Sequence, residues 1–138
     1  MSGERAFWAT VQLRHTLPDG TAHIDWMIAP DHAGRDHLVT FRSPGRIDEL
    51  APGSSLALER LHDHRPAYLT YEGPVSGGRG SVRRVGQGRI TAWLRDPDRW
   101  RLSVAWDARP PQHLGVRRVD DGSWLVRSEP RDPSNMEQ

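Results

Sequence analysis

Short stretches in which apolar and polar residues alternate recur along most of the chain, separated by clusters of Gly, Pro and Asp. Alternation with a period of two is typical of half-buried β-strands, and the turn residues mark where such strands end. Long helical periodicity is absent. The pattern predicts ten strands, at 6–15, 21–29, 37–43, 54–60, 67–72, 80–85, 88–94, 99–106, 113–119 and 123–127.

Many short strands at this spacing favour an all-β fold, here a small closed or partly closed antiparallel β-barrel with few short helical turns. One such turn is expected around Ile47–Leu50. A length of 138 residues fits a single domain. We assign that domain to residues 1–129, and we predict that the polar stretch 130–138 is a flexible C-terminal tail.

The clearest local prediction is a β-hairpin that joins the first two strands through the loop Pro18-Asp19-Gly20. The register set by this loop places His15 opposite His23 and places Asp25 two residues further along the same face. Cross-strand partners share a face, as do positions i and i+2. The hairpin therefore brings two imidazoles and one carboxylate together.

Two neutral imidazoles and a carboxylate on one face of an ion form a ligand set for a divalent metal such as Mn, with Zn, Co or Fe as alternatives. The alternative reading of His15, His23 and Asp25 is a polar surface hairpin without a metal. Register decides between them, because a slip of one residue would separate the three side chains.

Composition excludes several other chemistries. The formal charge is only +1, so there is no global basic field of the kind that drives strong nonspecific nucleic-acid binding. All 19 basic residues are Arg, which removes lysine-amine chemistry, and the absence of Cys removes thiolate nucleophiles, disulfides and Cys-ligated zinc. No apolar run is long enough for a signal peptide or a membrane span, so we expect a cytoplasmic protein without membrane contacts.

A second cluster of functional side chains runs from His62 to Gly73 and leads into the glycine-rich stretch 73–80. Here His64 could donate a proton to a phosphoryl oxygen or to a leaving alkoxide, and Tyr68 could add a hydrogen bond. The structural alternative is that His64 caps a turn and that Tyr68 is a half-buried strand aromatic. The glycine-rich stretch lacks the Gly-Lys-Ser/Thr ending of a nucleotide-binding loop, which favours a tight barrel loop.

The histidines outside these two clusters, and the tryptophans, have simpler interpretations. His32, His37 and His113 lie in no comparable cluster and are predicted to be solvent-exposed. The six Trp each fall in a predicted strand, so core packing is their expected role. Glu72 could support the metal site or close a turn, and its sequence position leaves both open.

The order His-x-x-x-Tyr, then aromatic-Glu-Gly, then a glycine-rich stretch resembles the 3′-phosphoesterase domain found at the N-terminus of bacterial DNA ligase D proteins and in stand-alone relatives. That family also carries an upstream His and then a His-aromatic-Asp strand, which His15 and His23-Ile24-Asp25 resemble. The resemblance spans residues 7–94. Its motifs are short, so its specificity comes from their order and spacing.

The resemblance implies a β-barrel enzyme that uses Mn to remove a 3′-phosphate or a 3′-ribonucleoside from a primer strand. His15, His23 and Asp25 would then be the metal ligands, His64 would contact the scissile phosphate and Tyr68 would support it. The implied partners are nucleic acid 3′ ends, in DNA or RNA primer-templates, and a DNA ligase or polymerase acting alongside.

One position departs from the family pattern. Ligase-linked members carry an Arg two residues after the Asp, where this chain has Met27, and the strand here is closer to the His-Trp-Asp-Leu-Met-Leu strand of stand-alone relatives. A phosphoryl group still needs a second cation, so we predict that another guanidinium reaches the pocket. Arg42 and Arg79 are the first candidates, followed by Arg83 and Arg84.

Three functions are consistent with the sequence. The first is a metal-dependent 3′-phosphoesterase in DNA end repair. The second is a small mononuclear iron oxygenase, which uses the same type of ligand set. The third is a noncatalytic β-barrel that binds nucleic-acid ends or a partner protein and has lost turnover along with the missing Arg.

Overall fold

The computed structural model describes residues 6–130. Residues 1–5 of the predicted domain, and 131–138 of the predicted tail, lie outside the described residues. The described part is all-β with one 3₁₀ turn, Pro66–Leu69. Its strands are β1 Trp8–Thr16, β2 Ala22–Ile28, β3 Val39–Ser43, β4 Ser55–Arg60, β5 Gly73–Pro74, β6 Ser81–Arg95, β7 Arg99–Trp106, β8 Gln112–Asp120 and β9 Ser123–Ser128.

Eight of these strands close into an antiparallel barrel, which confirms the predicted fold class. The order around the ring is β1-β2-β3-β4-β9-β8-β7-β6, and pairing between β6 and β1 closes it. Strand β5 lies outside the ring and pairs only with the start of β6. Closure leaves none of the eight ring strands as a free sheet edge.

Strand β6 is the element that bends around the barrel. The sequence predicted two strands, at 80–85 and 88–94, but the structure has one strand of 15 residues that pairs with β1 in its first part and with β7 in its second. Two local features allow the bend. A Cβ at Gly88 would lie 2.6 Å from the carbonyl oxygen of Ala105, and the register shifts between Ile90 and Ala92.

The buried apolar residues form two clusters, one inside the barrel and one on part of its outer surface. The inner cluster contains most of the aromatic residues, including Trp26, Phe41, Trp100 and Trp124. A smaller outer cluster lies between the barrel wall and residues 68–75, and its buried members are Val11, Leu13, Met27, Ala29, Leu38 and Val82. The second cluster means that part of the outer wall is buried as well.

The predicted strand 67–72 was wrong. Pro66 fixes the φ angle at the start of this segment and Tyr68 donates its backbone N–H to the carbonyl of Arg65, so the chain forms a 3₁₀ turn instead. The helical turn expected at Ile47–Leu50 is a single hydrogen-bonded turn, from the Leu50 N–H to the Ile47 carbonyl at 3.1 Å. Among residues 6–130, no helix is both long and apolar enough to cross a membrane.

Candidate metal centre

The hairpin between β1 and β2 has the register that its loop predicts. His15 pairs with His23, and Leu13 pairs with Asp25. Within the loop, Asp19 accepts hydrogen bonds from the backbone and the hydroxyl of Thr21, and these bonds lower the pKa of its carboxyl group. The loop therefore fixes locally which side chains of the two strands meet.

His15, His23 and Asp25 converge on the outer face of the barrel. Trp26 belongs to the inner core, so the neighbouring position Asp25 points outward, together with its partners. The Nδ1 atom of His15 lies 3.5 Å from one carboxylate oxygen of Asp25, and the Nε2 atom of His23 lies 3.0 Å from the other. Within residues 6–130, this is the one group of three or more His, Cys, Asp or Glu whose donor atoms come together, all within 4.8 Å.

Hydrogen bonding sets which nitrogen of His15 is free. Its Nε2 atom lies 2.7 Å from the carbonyl oxygen of Arg79, which can only accept, so Nε2 carries the proton. In the neutral ring Nδ1 then has its lone pair, and this is the atom that faces Asp25. A backbone carbonyl holding the distal nitrogen is the usual support of a metal-ligating histidine.

His23 is held in the form that a metal requires. Its burial lowers its pKa, and the positive charge of Arg42 and the ring of His15 act in the same direction, against the opposing effect of Asp25. The neutral imidazole is thus favoured near pH 7, and only a neutral imidazole has a lone pair to offer a metal.

The three residues fit a divalent ion. Asp25 is 3% exposed, and its Oδ1 atom has no partner in good hydrogen-bond geometry although His23 Nε2 lies 3.0 Å away; Nδ1 of His23 is buried without any hydrogen-bond partner. A buried carboxylate is costly unless a cation or a well-aligned donor satisfies it. Ligands bound to one ion at about 2.1 Å lie about 3.0–3.5 Å apart, which is the spacing of the two His–Asp contacts.

A pocket of about 270 Å³ opens onto this centre from the side of residues 62–82. His15 and Asp25 form its floor, whereas His23 does not line it. His64 and Tyr68 do line it, with their ring centroids 5.8 Å apart. The two sequence clusters, far apart in the chain, therefore meet in one pocket.

His64 is placed by a contact between two distant segments. Its backbone forms an isolated antiparallel bridge with Leu38, with hydrogen bonds of 2.6 and 3.0 Å. Its Nδ1 atom lies 3.0 Å from the carbonyl oxygen of His62, so Nδ1 carries the proton and Nε2 has the lone pair in the neutral ring. His64 is thus anchored to the strand beside the centre and does not merely cap a turn.

The arginine candidates occupy different positions. Arg79 lines the pocket, and its guanidinium donates to the carbonyl and hydroxyl oxygens of Ser76. Arg42 pairs with Asp25 across β2 and β3 on the outer face but does not line the pocket. Arg83 and Arg84 do not line the pocket either, and the guanidinium of Arg84 lies 3.4 Å from the carbonyl of Leu69.

Sequence reasoning missed three pocket residues, His37, Asp63 and Arg65, which line the pocket together with His62. His37 is exposed as predicted, but its assignment to no cluster was wrong. Its place follows from the bridge made by the next residue, Leu38, and such a long-range pairing leaves no local signal in the sequence. Arg65 could have been found, since it follows His64 directly.

The glycine-rich stretch and Glu72 have structural positions beside the pocket. Gly77 and Gly78 both have positive φ angles, which supports the predicted tight loop. Glu72 accepts the backbone N–H of Arg84 at 2.9 Å and does not line the pocket, so it fastens the segment before β5 to β6.

The fold and this centre together define a small β-barrel with a His-His-Asp site on its outer face, beside the segment that contains His64, Tyr68 and Arg79. The chain matches no known protein-family model, and a comparison with curated proteins finds no similar sequence.

Proposed function

We propose that this protein is a metal-dependent phosphoesterase that acts on 3′ ends of nucleic acid, of the type found in the DNA ligase D 3′-phosphoesterase family. One observation carries the proposal. Two members of the His-His-Asp donor set, His15 and Asp25, line a pocket together with an imidazole, a phenol and a guanidinium, from His64, Tyr68 and Arg79. Phosphoryl transfer needs a metal, a proton donor and a second cation in this kind of proximity.

The metal would be held by His15 Nδ1, His23 Nε2 and a carboxylate oxygen of Asp25. When bound, a divalent ion such as Mn would neutralise phosphoryl oxygens and lower the pKa of water. The role of Asp25 is to supply the negative charge, and the role of the Arg79 carbonyl is to fix the ring of His15. Because His15 and Asp25 line the pocket, a phosphate in the pocket would approach a bound metal from that side.

His64 supplies the proton-transfer group. Because its Nδ1–H is committed to the His62 carbonyl, Nε2 is the atom that exchanges protons. In the protonated ring Nε2–H donates to a phosphoryl oxygen or to the leaving oxygen, and the Tyr68 hydroxyl adds a second donor.

Arginine supplies the cation that Met27 cannot. Arg79 is the first candidate because it lines the pocket, and Arg42 is the second because it lies beside Asp25. The hydrogen bonds of Arg79 to Ser76 hold its guanidinium in a defined position. Guanidinium and phosphate form paired, charge-assisted hydrogen bonds that stabilise the charge developing in the transition state.

The test is release of phosphate from a 3′-phosphorylated primer annealed to a template, with and without Mn. We expect Mn-dependent release by the wild type and a loss on the order of 100-fold in His64→Ala and in Arg79→Ala. The matched controls are His113→Ala and Arg109→Ala, which lie outside the pocket and should keep full activity. Tyr68→Phe should lose less than His64→Ala, since it removes one hydroxyl.

Binding of the same primer ends separates the enzyme from a binding module. If the wild type releases no phosphate or ribonucleoside with Mn, Zn, Co or Fe and still binds these ends, the enzyme proposal fails. The noncatalytic barrel then replaces it.

A further inference from the structure

The outer wall of β7, β8 and β9 concentrates four arginines. In β7 the core residue Trp100 points inward, so its neighbours Arg99 and Arg101 point outward. The same alternation around the buried residues of β8 and β9 places Arg117 and Arg127 outward. We call these four residues the arginine face.

The strand register brings the four guanidinium-bearing positions together. Arg99 pairs directly with Arg117, while Gly115 lies between Arg101 and Arg127 in the neighbouring row. Adjacent strands are about 4.8 Å apart and alternate residues along a strand about 6.7 Å apart. A shallow groove of about 350 Å³ runs over this part of the wall, and all four arginines line it together with Gly115 and Glu129.

The charge of this face is only slightly compensated. Glu129 lies over Gly115, with a carboxylate oxygen 3.8 Å from the guanidinium of Arg127. Among the residues that the structure describes, Arg99, Arg101 and Arg117 have no carboxylate within 4.0 Å. The face thus carries a strong local positive charge in a chain whose formal charge is +1.

Like charges on directly opposed strand positions destabilise a sheet, so folding alone does not explain the pairing of Arg99 with Arg117. A bound polyanion would compensate for the repulsion. The side chains of Trp100 and Trp124 belong to the inner core, so the arginine face offers guanidinium groups but none of the aromatic rings on which unpaired bases stack. Phosphates, and not bases, fit such a surface.

We propose that the arginine face binds the phosphodiester backbone of duplex nucleic acid, without recognition of sequence. It lies across the ring from β1 and β2, with β3 and β4 between them on one side and β6 on the other. The proposal therefore uses neither the metal centre nor a 3′ end, and it stands or falls separately from the phosphoesterase proposal.

The probe is a short DNA dumbbell, a duplex closed by a loop at each end, which has no 3′ end. Binding is measured by fluorescence anisotropy in EDTA at salt concentrations from 50 to 200 mM. Each phosphate contact contributes about −0.9 to the slope of log K against log salt. Four contacts predict a loss of about 150-fold over this range, and two contacts predict about 12-fold.

The main variant is Arg101→Gln with Arg117→Gln, which removes two charges. Its matched control is Arg35→Gln with Arg109→Gln, the same charge change at exposed arginines elsewhere. We expect the shallower salt dependence in the first variant only. Glu129→Gln should bind more tightly than the wild type, because it removes the one carboxylate of the face.

Several outcomes would overturn the proposal. Equal salt slopes for the two double variants would show that net charge and not this face controls binding, and unchanged or weaker binding by Glu129→Gln would contradict the assigned groove. Equal competition by polyglutamate at the same charge concentration would assign the face to acidic protein. A melting temperature of Arg101→Gln/Arg117→Gln at or above that of the wild type verifies that the variant is folded, as relief of repulsion predicts.

Discussion

The Asp25→Asn variant should distinguish a role of Asp25 in metal binding from a role in the stability of the hairpin. Asn keeps the shape of Asp25 and removes its negative charge. In the structure this carboxylate is 3% exposed, and the His23 and His15 nitrogens, 3.0 and 3.5 Å from its two oxygens, give its Oδ1 atom no hydrogen bond of good geometry. Without metal, Asp25→Asn should therefore lower the free energy of unfolding by no more than about 1 kcal/mol, because removing a poorly satisfied buried charge also removes its desolvation cost.

In the presence of metal we expect Asp25→Asn to be less stable than the wild type. A ligand present at 100 times its dissociation constant stabilises the native state by about 2.7 kcal/mol. For a chain of this size that corresponds to a rise in melting temperature of about 8–13 °C. The wild type should show this rise with Mn, and Asp25→Asn should lose most of it, because a charged ligand is gone.

The assay is thermal unfolding at pH 8, where the lowered pKa of His23 keeps its imidazole neutral, in EDTA and in a series of Mn concentrations. Asp121→Asn is the matched control, since its carboxylate is fully exposed. An equal Mn-induced rise in Asp25→Asn and in the wild type would show that Asp25 is not a ligand. No rise in the wild type with any of Mn, Zn, Co and Fe would refute the metal centre itself.

Two further predictions concern the framework around the centre. Burial raises the pKa of Asp48, but the hydrogen bonds from Arg46 lower it by more, so the pKa lies below 3.8 and the charged carboxylate stabilises the fold above that pH. In urea unfolding at pH 7, Asp48→Asn should therefore be less stable than the wild type by about 1.5–3 kcal/mol. This difference should shrink as the pH falls through the lowered pKa and the wild-type carboxylate becomes protonated, and a difference independent of pH would contradict this explanation. Gly80 has a φ of +89°, and a Cβ there would lie 1.9 Å from the carbonyl oxygen of Thr16. The Gly80→Ala variant should therefore weaken the pairing of β1 with β6 and lower the affinity for Mn. In the same titration Gly122→Ala should leave the affinity for Mn unchanged, because the space around its Cβ position is open.

Local sequence was sufficient for the hairpin that carries the three candidate ligands. A proline, an aspartate and a glycine set the turn, and alternation with a period of two sets which side chains share a face. Both signals act over a few residues, so the pairing of His15 with His23 could be predicted before any tertiary contact was known. The all-β class followed in the same way from many short alternating segments.

The tertiary structure decided which wall of the barrel carries the centre. Periodicity places His23 and Asp25 together but does not say whether their face is inside or outside, and here both faces of β2 are buried. The inner face packs in the barrel core, and the outer face is covered by the segment that contains Tyr68. The assignment needed the aromatic core and the position of that segment, both of which depend on long-range contacts.

Long-range pairing also decided the rest of the pocket. The bridge between Leu38 and His64 brings His37 and residues 62–65 to the centre, although no local pattern marks these segments as neighbours. The arginine face has the same origin, since Arg99, Arg117 and Arg127 become neighbours only when β7, β8 and β9 take their places in the ring. Sequence determines such pairings through the whole set of packing interactions at once, whereas a turn and an alternating strand are determined by the residues within them.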